Sequence, residues 1–229
     1  MSAPHFTPKT VAFLQKLERN NNREWFRAHR DEYEIHVRQP MVDLVEHMEL
    51  DLRGFAPELV ATPRKSIYRI YRDTRFSTNK TPLKTQIAAI FPHRQLSKHG
   101  GAGLYLHIST ESVLIGGGLY RPEQRQLQHL REFISANEQR LRDISQSKSF
   151  RNCYGSISGH QLKRTPRGFD PDHPAQDFLR LTQFLASTNR PVAFATRTRF
   201  YWSVLRLFKE LAPLIQFLNE PLVRHEFQL

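Results

Sequence analysis

Apolar residues recur at helical spacing at both ends of the chain and at strand spacing in its middle. Thr7 can cap a first helix that opens on Pro8, with Val11, Leu14 and Leu17 on one face. Asn20 to Asn22 interrupt it. A second helical stretch from about Arg23 carries Trp25, Phe26 and Tyr33, and Pro40 starts a third through Val42, Leu44, Val45, Met48 and Leu52. At the far end, Tyr201, Val204, Leu205, Phe208, Leu211 and Ile215 fall three and four residues apart, the spacing of a helix face that packs on a core.

Between these ends the period changes. Ile67 to Phe76 mixes β-branched and aromatic residues with arginine, and Gln86 to Phe91 is a short apolar run; both read as strands, joined by a loop over Ser77 to Pro82. Leu104, Leu106 and Ile108 alternate with Tyr105 and His107, and Val113 to Ile115 follow the polar turn Thr110 to Ser112, which predicts an antiparallel hairpin ending at Gly116 to Gly118. Pro122 then opens a helix through Leu127, Leu130, Phe133 and Ile134, with further turns through Leu141 and Ile144. Gly155 to Pro174 reads as an extended loop, followed by a helix from about Pro174 to Leu185. Strands and helices are segregated, so the fold class is α+β: a central antiparallel sheet with N-terminal and C-terminal helices packed around it.

The 229 residues suit one domain, spanning 1–229. With 16 Phe and 7 Tyr there are enough large side chains to offset the entropy lost on folding. The polar start MSAPHFTPKT lacks a secretory signal and no apolar run is long enough to span a bilayer, so the reading is a cytoplasmic protein with no membrane partner. The single cysteine, Cys153, has no partner for a disulfide and reads as a small buried side chain.

A formal charge of +12 favours anionic partners. Its distribution sharpens this. Arg64 to Lys84 holds seven basic residues against Asp73 alone, a net +6, whereas Asp31 to Glu58 holds eight acids and only Arg38 and Arg53 as bases. If Ile67 to Phe76 is a strand, alternation puts Arg69, Asp73 and Arg75 on one face with Tyr71, and Arg72 with Ile70 on the other. Guanidinium forks suit phosphate or carboxylate, Lys80 and Lys84 add point charges, and Asp73 can orient an arginine or carry a proton. The same residues can equally form an ion-pair network that fastens the loop.

The string Arg69-Ile-Tyr-Arg72-Asp73-Thr-Arg75-Phe76-Ser-Thr-Asn-Lys80-Thr-Pro82-Leu83 resembles RxxRDxRFxxxKxPY, the signature of a family of mainly bacterial proteins of similar length known as a domain of unknown function. The resemblance extends from the Asn-rich turn and Arg23-Glu-Trp25-Phe26 through Gly116-Gly-Gly-Leu-Tyr120 to Leu162-Lys163-Arg164 and Asp172-His173-Pro174. Leu83 stands where the signature has tyrosine, which bears on any activity that uses that hydroxyl. The family implies relatives but no reaction.

A second candidate is the loop with Lys163, Arg164, Arg167, Asp170, Asp172 and His173. There His173 can serve as a general acid or base beside an anion site, or can simply cap a helix. Gly116 to Gly118 can let backbone N–H groups approach a phosphate, or form a glycine bulge at the end of the hairpin. There is no P-loop, no G-x-G-x-x-G and no G-x-S-x-G elbow, and the 11 histidines show no metal-ligand spacing, so neither a cofactor nor a metal is expected. Three readings follow. The first is a pocket for a phosphorylated or carboxylated small molecule, with phosphoester or phosphoryl-transfer chemistry as its natural extension. The second is a nucleic-acid surface in which Tyr68, Tyr71 and Phe76 stack on bases. The third is an interaction module with structural arginines. Whether the two basic segments meet, and the oligomeric state, stay open at this level.

Overall fold

A computed structural model describes residues 3–75 and 77–226. The N-terminal helices are α1 (Pro8–Arg19), α2 (Arg23–Ala28), α3 (Arg30–Tyr33), a π-helical turn (Glu34–Arg38), α4 (Gln39–Leu52) and the short α5 (Pro63–Ser66). Strands β1 (Ile87–Phe91), β2 (Gly103–Ile108) and β3 (Ser112–Leu119) follow. Helices α6 (Gln124–Ala136), α7 (Glu138–Gln146), α8 (Lys148–Tyr154) and α9 (Gln176–Leu179) then lead to β4 (Phe184–Pro191) and the long α10 (Phe200–Glu226). The fold is α+β, with helices at both ends of an antiparallel sheet.

The first helix forms where its signals place it, with a capping box between Thr7 and Thr10 and Pro8 at its start. Its buried face is set by Phe13, Leu14 and Leu17, while Val11 is only partly covered. Pro40 does not start a helix after a break. The chain is already helical from Arg30, and Gln39 N–H reaches back five residues to Glu34 O. The π turn precedes the proline, and Thr10 Oγ1 donates to the His36 carbonyl inside that turn at 2.6 Å.

The sheet has the order β1-β2-β3-β4, every pair antiparallel. β3 runs without a bulge through Gly116 to Gly118 to Leu119, so these glycines lie inside a strand rather than at the end of a hairpin. The close approach of β4 requires two of them: a Cβ on Gly116 would lie 2.5 Å from Ala186 O and one on Gly118 closer still to Phe184 O. The expected helix over Pro174 to Leu185 is one turn, α9, and the chain then enters β4 at Phe184. Phe184 and Ala186 alternate toward the core, a period of two that follows directly on the apolar run Phe178, Leu179 and Leu181.

One face of the sheet packs on α10. Phe91 meets Phe208 edge to face at 5.5 Å, and a Cβ at Gly117 would lie 3.0 Å from Leu211 Cδ2. Leu104, Leu106, Ile108, Val113 and Ile115 are fully buried on this side. Alternation and register then put Ala88, Ile90, Tyr105, His107, Leu114, Gly116, Gly118, Ser187 and Asn189 on the opposite face, which carries no carboxylate at these positions. Tyr105, His107 and Leu114 there are half-buried. Both edges of the sheet are covered. Leu59 and Ile67 bridge His93 and Ala89 along β1, and Ser158 and Gln161 bridge Leu185 and Leu181 along β4. A contiguous hydrophobic core extends from Phe6 to Leu222. Among the described residues, no helix is long and apolar enough to cross a membrane.

Candidate anion-binding site

The basic segment is an irregular two-armed hairpin rather than a regular strand. Its pairing is confined to a few points: Tyr68 N–H donates to Ala88 O (3.0 Å), Lys84 N–H to Ile70 O (2.8 Å) and Arg72 N–H to Pro82 O (2.9 Å), with a bridge between Tyr71 and Leu83. Phe76, the last residue of the expected strand and one of its stacking rings, lies outside the described residues. Ile70 points into the core, while Arg69, Tyr71, Asp73 and Arg75 are exposed, so the alternation read from the sequence holds without a continuous ladder. Leu83 is fully buried, so it occupies a core position in this chain.

At the tip of the hairpin the charges are engaged locally. Arg75 donates to Asp73 through Nε (3.0 Å) and Nη2 (2.8 Å), and its backbone N–H also reaches Asp73 Oδ1. The Arg75 side-chain hydrogen bonds hold the Asp73 carboxyl down at about 2. Asp73 is therefore an ionised partner at neutral pH. Lys80 Nζ donates to Thr74 O (3.0 Å), and Arg72 Nη1 donates to Thr81 Oγ1 (3.0 Å), which in turn donates to Asn79 Oδ1 (2.7 Å).

The base of the hairpin is different. Lys84 Nζ lies 5.2 Å and Lys98 Nζ 4.4 Å from the centroid of the Tyr68 ring, on which His99 stacks at 6.0 Å and 16°. Both cations have a π face as neighbour and no ion pair with any described carboxylate. Partial burial lowers the Lys84 ammonium below its ordinary value, and the Arg69 and Arg72 guanidiniums lower it further. Burial and then Lys84 do the same to Lys98. Lys84 thus sits among like charges, repelled by Arg69 and Arg72 and in turn repelling Lys98. Tyr105 approaches Tyr68 edge-on at 6.3 Å, and its hydroxyl lies 3.2 Å from His107 Nδ1. Burial pushes the Tyr105 phenol up to about 12 and lowers both His107 and His99, the latter also through Lys98.

Of the residues singled out in the sequence, Lys84 lies at this base with the Arg69 and Arg72 charges within electrostatic reach, while Asp73, Arg75 and Lys80 sit at the tip, where Arg72 also bonds Thr81. Lys163, Arg164 and His173 do not join them. They follow the segment that covers the outer edge of β4, and the hairpin flanks β1; three strand spacings of about 4.8 Å put these edges roughly 14 Å apart. Lys163 and Arg164 are exposed. His173 Nδ1 accepts from Ala175 N–H (2.9 Å), so the ring proton is on Nε2 and faces Ser135 Oγ at 2.9 Å. That tautomer cannot take the Ser135 proton; it caps the turn ahead of α9.

Lys98, His99, Tyr105 and His107 were not read as site residues. The available signal was the alternation in β2, whose polar positions face away from the core. Lys98 and His99 belong to a loop that reaches Tyr68 only through the fold. Two surface hollows, one lined by Leu52, Arg53, Thr62 and Arg94 and the other by Arg140, Ser147, Glu210 and Pro213, contain none of the residues above.

The model of the conserved hypothetical protein family DUF2461 matches residues 9–217, and the chain belongs to that family. No curated protein matches the chain.

Proposed function

We propose that this member of the family binds a phosphorylated or carboxylated small molecule at the base of the basic hairpin, with Lys84 and Lys98 as its anchors and Arg69 and Arg72 beside them. The observation that carries the reading is the pair of ammonium groups against the Tyr68 ring with no acidic partner among the described residues. Like charges held together on a half-buried surface destabilise the unliganded protein, and an anion converts that repulsion into charge-assisted hydrogen bonds. The anion supplies the missing counter-charge. We assign the protein to the cytosol on the sequence reading above. Clustered cations of this kind suit phosphoester or phosphoryl transfer, in which they neutralise charge that develops on oxygen.

A thermal-shift panel of inorganic phosphate, pyrophosphate, citrate, sugar phosphates and short oligonucleotides at two salt concentrations tests the proposal. A ligand at a hundred times its Kd stabilises by about 2.7 kcal/mol. For a chain of this size that is a rise in Tm of roughly 5–10 °C. The rise is lost in Lys84→Met and Lys98→Met. A panel without effect on the wild type would overturn the reading, and a response to oligonucleotides alone, with steep salt dependence, would replace the small molecule at this site with a nucleic-acid strand.

A further inference from the structure

Beside the ammonium pair the sheet offers a second kind of surface. Tyr105 stands on the face turned away from α10, edge-on to Tyr68, with His107 next along the same strand at 5.6 Å between ring centroids. Its cross-strand partner is Gly116, and Gly103 next along β2 is paired with Gly118. The β3 position directly opposite Tyr105 thus carries no side chain, Ile90 lies opposite it on β1, and none of the described strand positions on this face is a carboxylate. Beyond the end of β3, Tyr120 is 57 % exposed and carries the Arg121 guanidinium 5.1 Å from its ring centroid. Aromatic rings and cations thus alternate: Lys84 and Lys98 at Tyr68, then Tyr105, then Tyr120 with Arg121. A carboxylic acid or sugar phosphate would use the cations and leave the rings idle. A ligand that carries a planar base next to its phosphate uses both, because any base offers a π face to an aromatic side chain.

We infer that the ligand of this face is a nucleotide unit, its phosphate held between Lys84 and Lys98 and its base packed on Tyr105, whether it arrives as a free nucleotide or within a single strand. This rests on the anion-binding reading and narrows it to one class of anion. Tyr105 then sets specificity, while the lysines set affinity for phosphate of any origin.

Isothermal titration of the full chain with adenosine monophosphate, ribose phosphate, pyrophosphate and a single-stranded deoxythymidine oligomer separates the two claims. Stacking predicts that adenosine monophosphate or the oligomer binds at least about tenfold more tightly than ribose phosphate. Tyr105→Leu removes that preference and leaves the ribose phosphate affinity in place, while Tyr105→Phe keeps it. Equal affinities for ribose phosphate and base-bearing ligands in the wild type overturn the nucleotide assignment and leave the anion site standing. Failure of every ligand overturns both. Tighter binding of the oligomer than of the mononucleotide, falling steeply with salt, identifies a strand as the source; comparable affinities identify the free nucleotide. Because the wild-type comparison alone decides the matter, a Tyr105 variant that does not fold leaves the test intact.

Discussion

The side-chain amide of Asn21 pairs with the backbone of Leu83 in both directions, accepting from its N–H at 3.0 Å and donating to its carbonyl at 3.0 Å. One side chain from the turn after α1 thereby replaces a strand partner for the returning arm of the basic hairpin, with Leu83 itself buried beneath it. Removing the amide leaves two backbone groups to find water or go unpaired, at a cost of about 1–3 kcal/mol. Asn21→Ala lowers the unfolding free energy obtained from urea titration by that amount, and Asn21→Asp, which keeps only the acceptor, falls between it and the wild type. Because the hairpin carries Lys84, anion affinity falls alongside stability.

The lysines behave in the opposite sense. Lys84→Met or Lys98→Met removes one member of a mutually repelling set while keeping the aliphatic stem, so the unliganded protein melts at the wild-type temperature or above it. The anion-induced shift disappears in the same variants. Loss of roughly 1.5–3 kcal/mol of binding, the value of a hydrogen bond to a charged group, is the expected size. Differential scanning fluorimetry with and without pyrophosphate reads both effects from one sample.

Asp73 is held by Arg75 at the tip of the hairpin. Its folded carboxyl sits at about 2 against 3.8 in the unfolded chain, so its contribution to stability is present above 3.8 and is lost as pH falls from there toward 2. Both partners are open to water, and a pair of this kind contributes little to the fold. Asp73→Asn therefore leaves the neutral-pH melting temperature unchanged and, because Asp73 and Arg75 sit at the tip rather than at the lysine pair, leaves the affinity for inorganic phosphate unchanged, as a phosphate titration of the two proteins would read out.

His99 and His107 give the fold a pH dependence on the acid side. Both are held below the ordinary imidazole value of 6.5, mainly by burial. The unfolded chain therefore takes up protons first as pH falls, so stability is complete above about 6.5 and declines below it as pH approaches the folded values. Melting temperatures rise from pH 5 to pH 7 in dilute buffer, and His107→Asn, which keeps a polar group beside Tyr105, flattens part of that slope.

The terminal helices were legible because their apolar residues repeat every three or four positions, with Thr7 and Pro8 marking the start of α1. The hairpin of β2 and β3 was legible from its alternation. The extent of β3 was not, since Gly116 to Gly118 break any hydrophobic pattern, although Gly116 and Gly118 lie against β4 and Gly117 against β2 too closely for a Cβ. β4 itself was hidden: a single helical turn ahead of it supplies apolar residues at helical spacing, and the period changes within a few residues. At the site, the hairpin that carries Arg69, Arg72 and Lys84 announced itself through charge density. Lys98 and Tyr105 did not, because their relation to Tyr68 exists only across separate segments of the fold. The distance between Lys84 and His173 was equally beyond reach, being set by which sheet edge each segment covers.

The most direct test of the central claim is a calorimetric titration of inorganic pyrophosphate into the wild type and into Lys84→Met at low and moderate salt. Saturable binding that weakens as salt rises and is lost in the variant, with both proteins equally folded, is the result the ammonium pair against Tyr68 predicts. Wild-type affinity in Lys84→Met, or no heat in either protein, would contradict it.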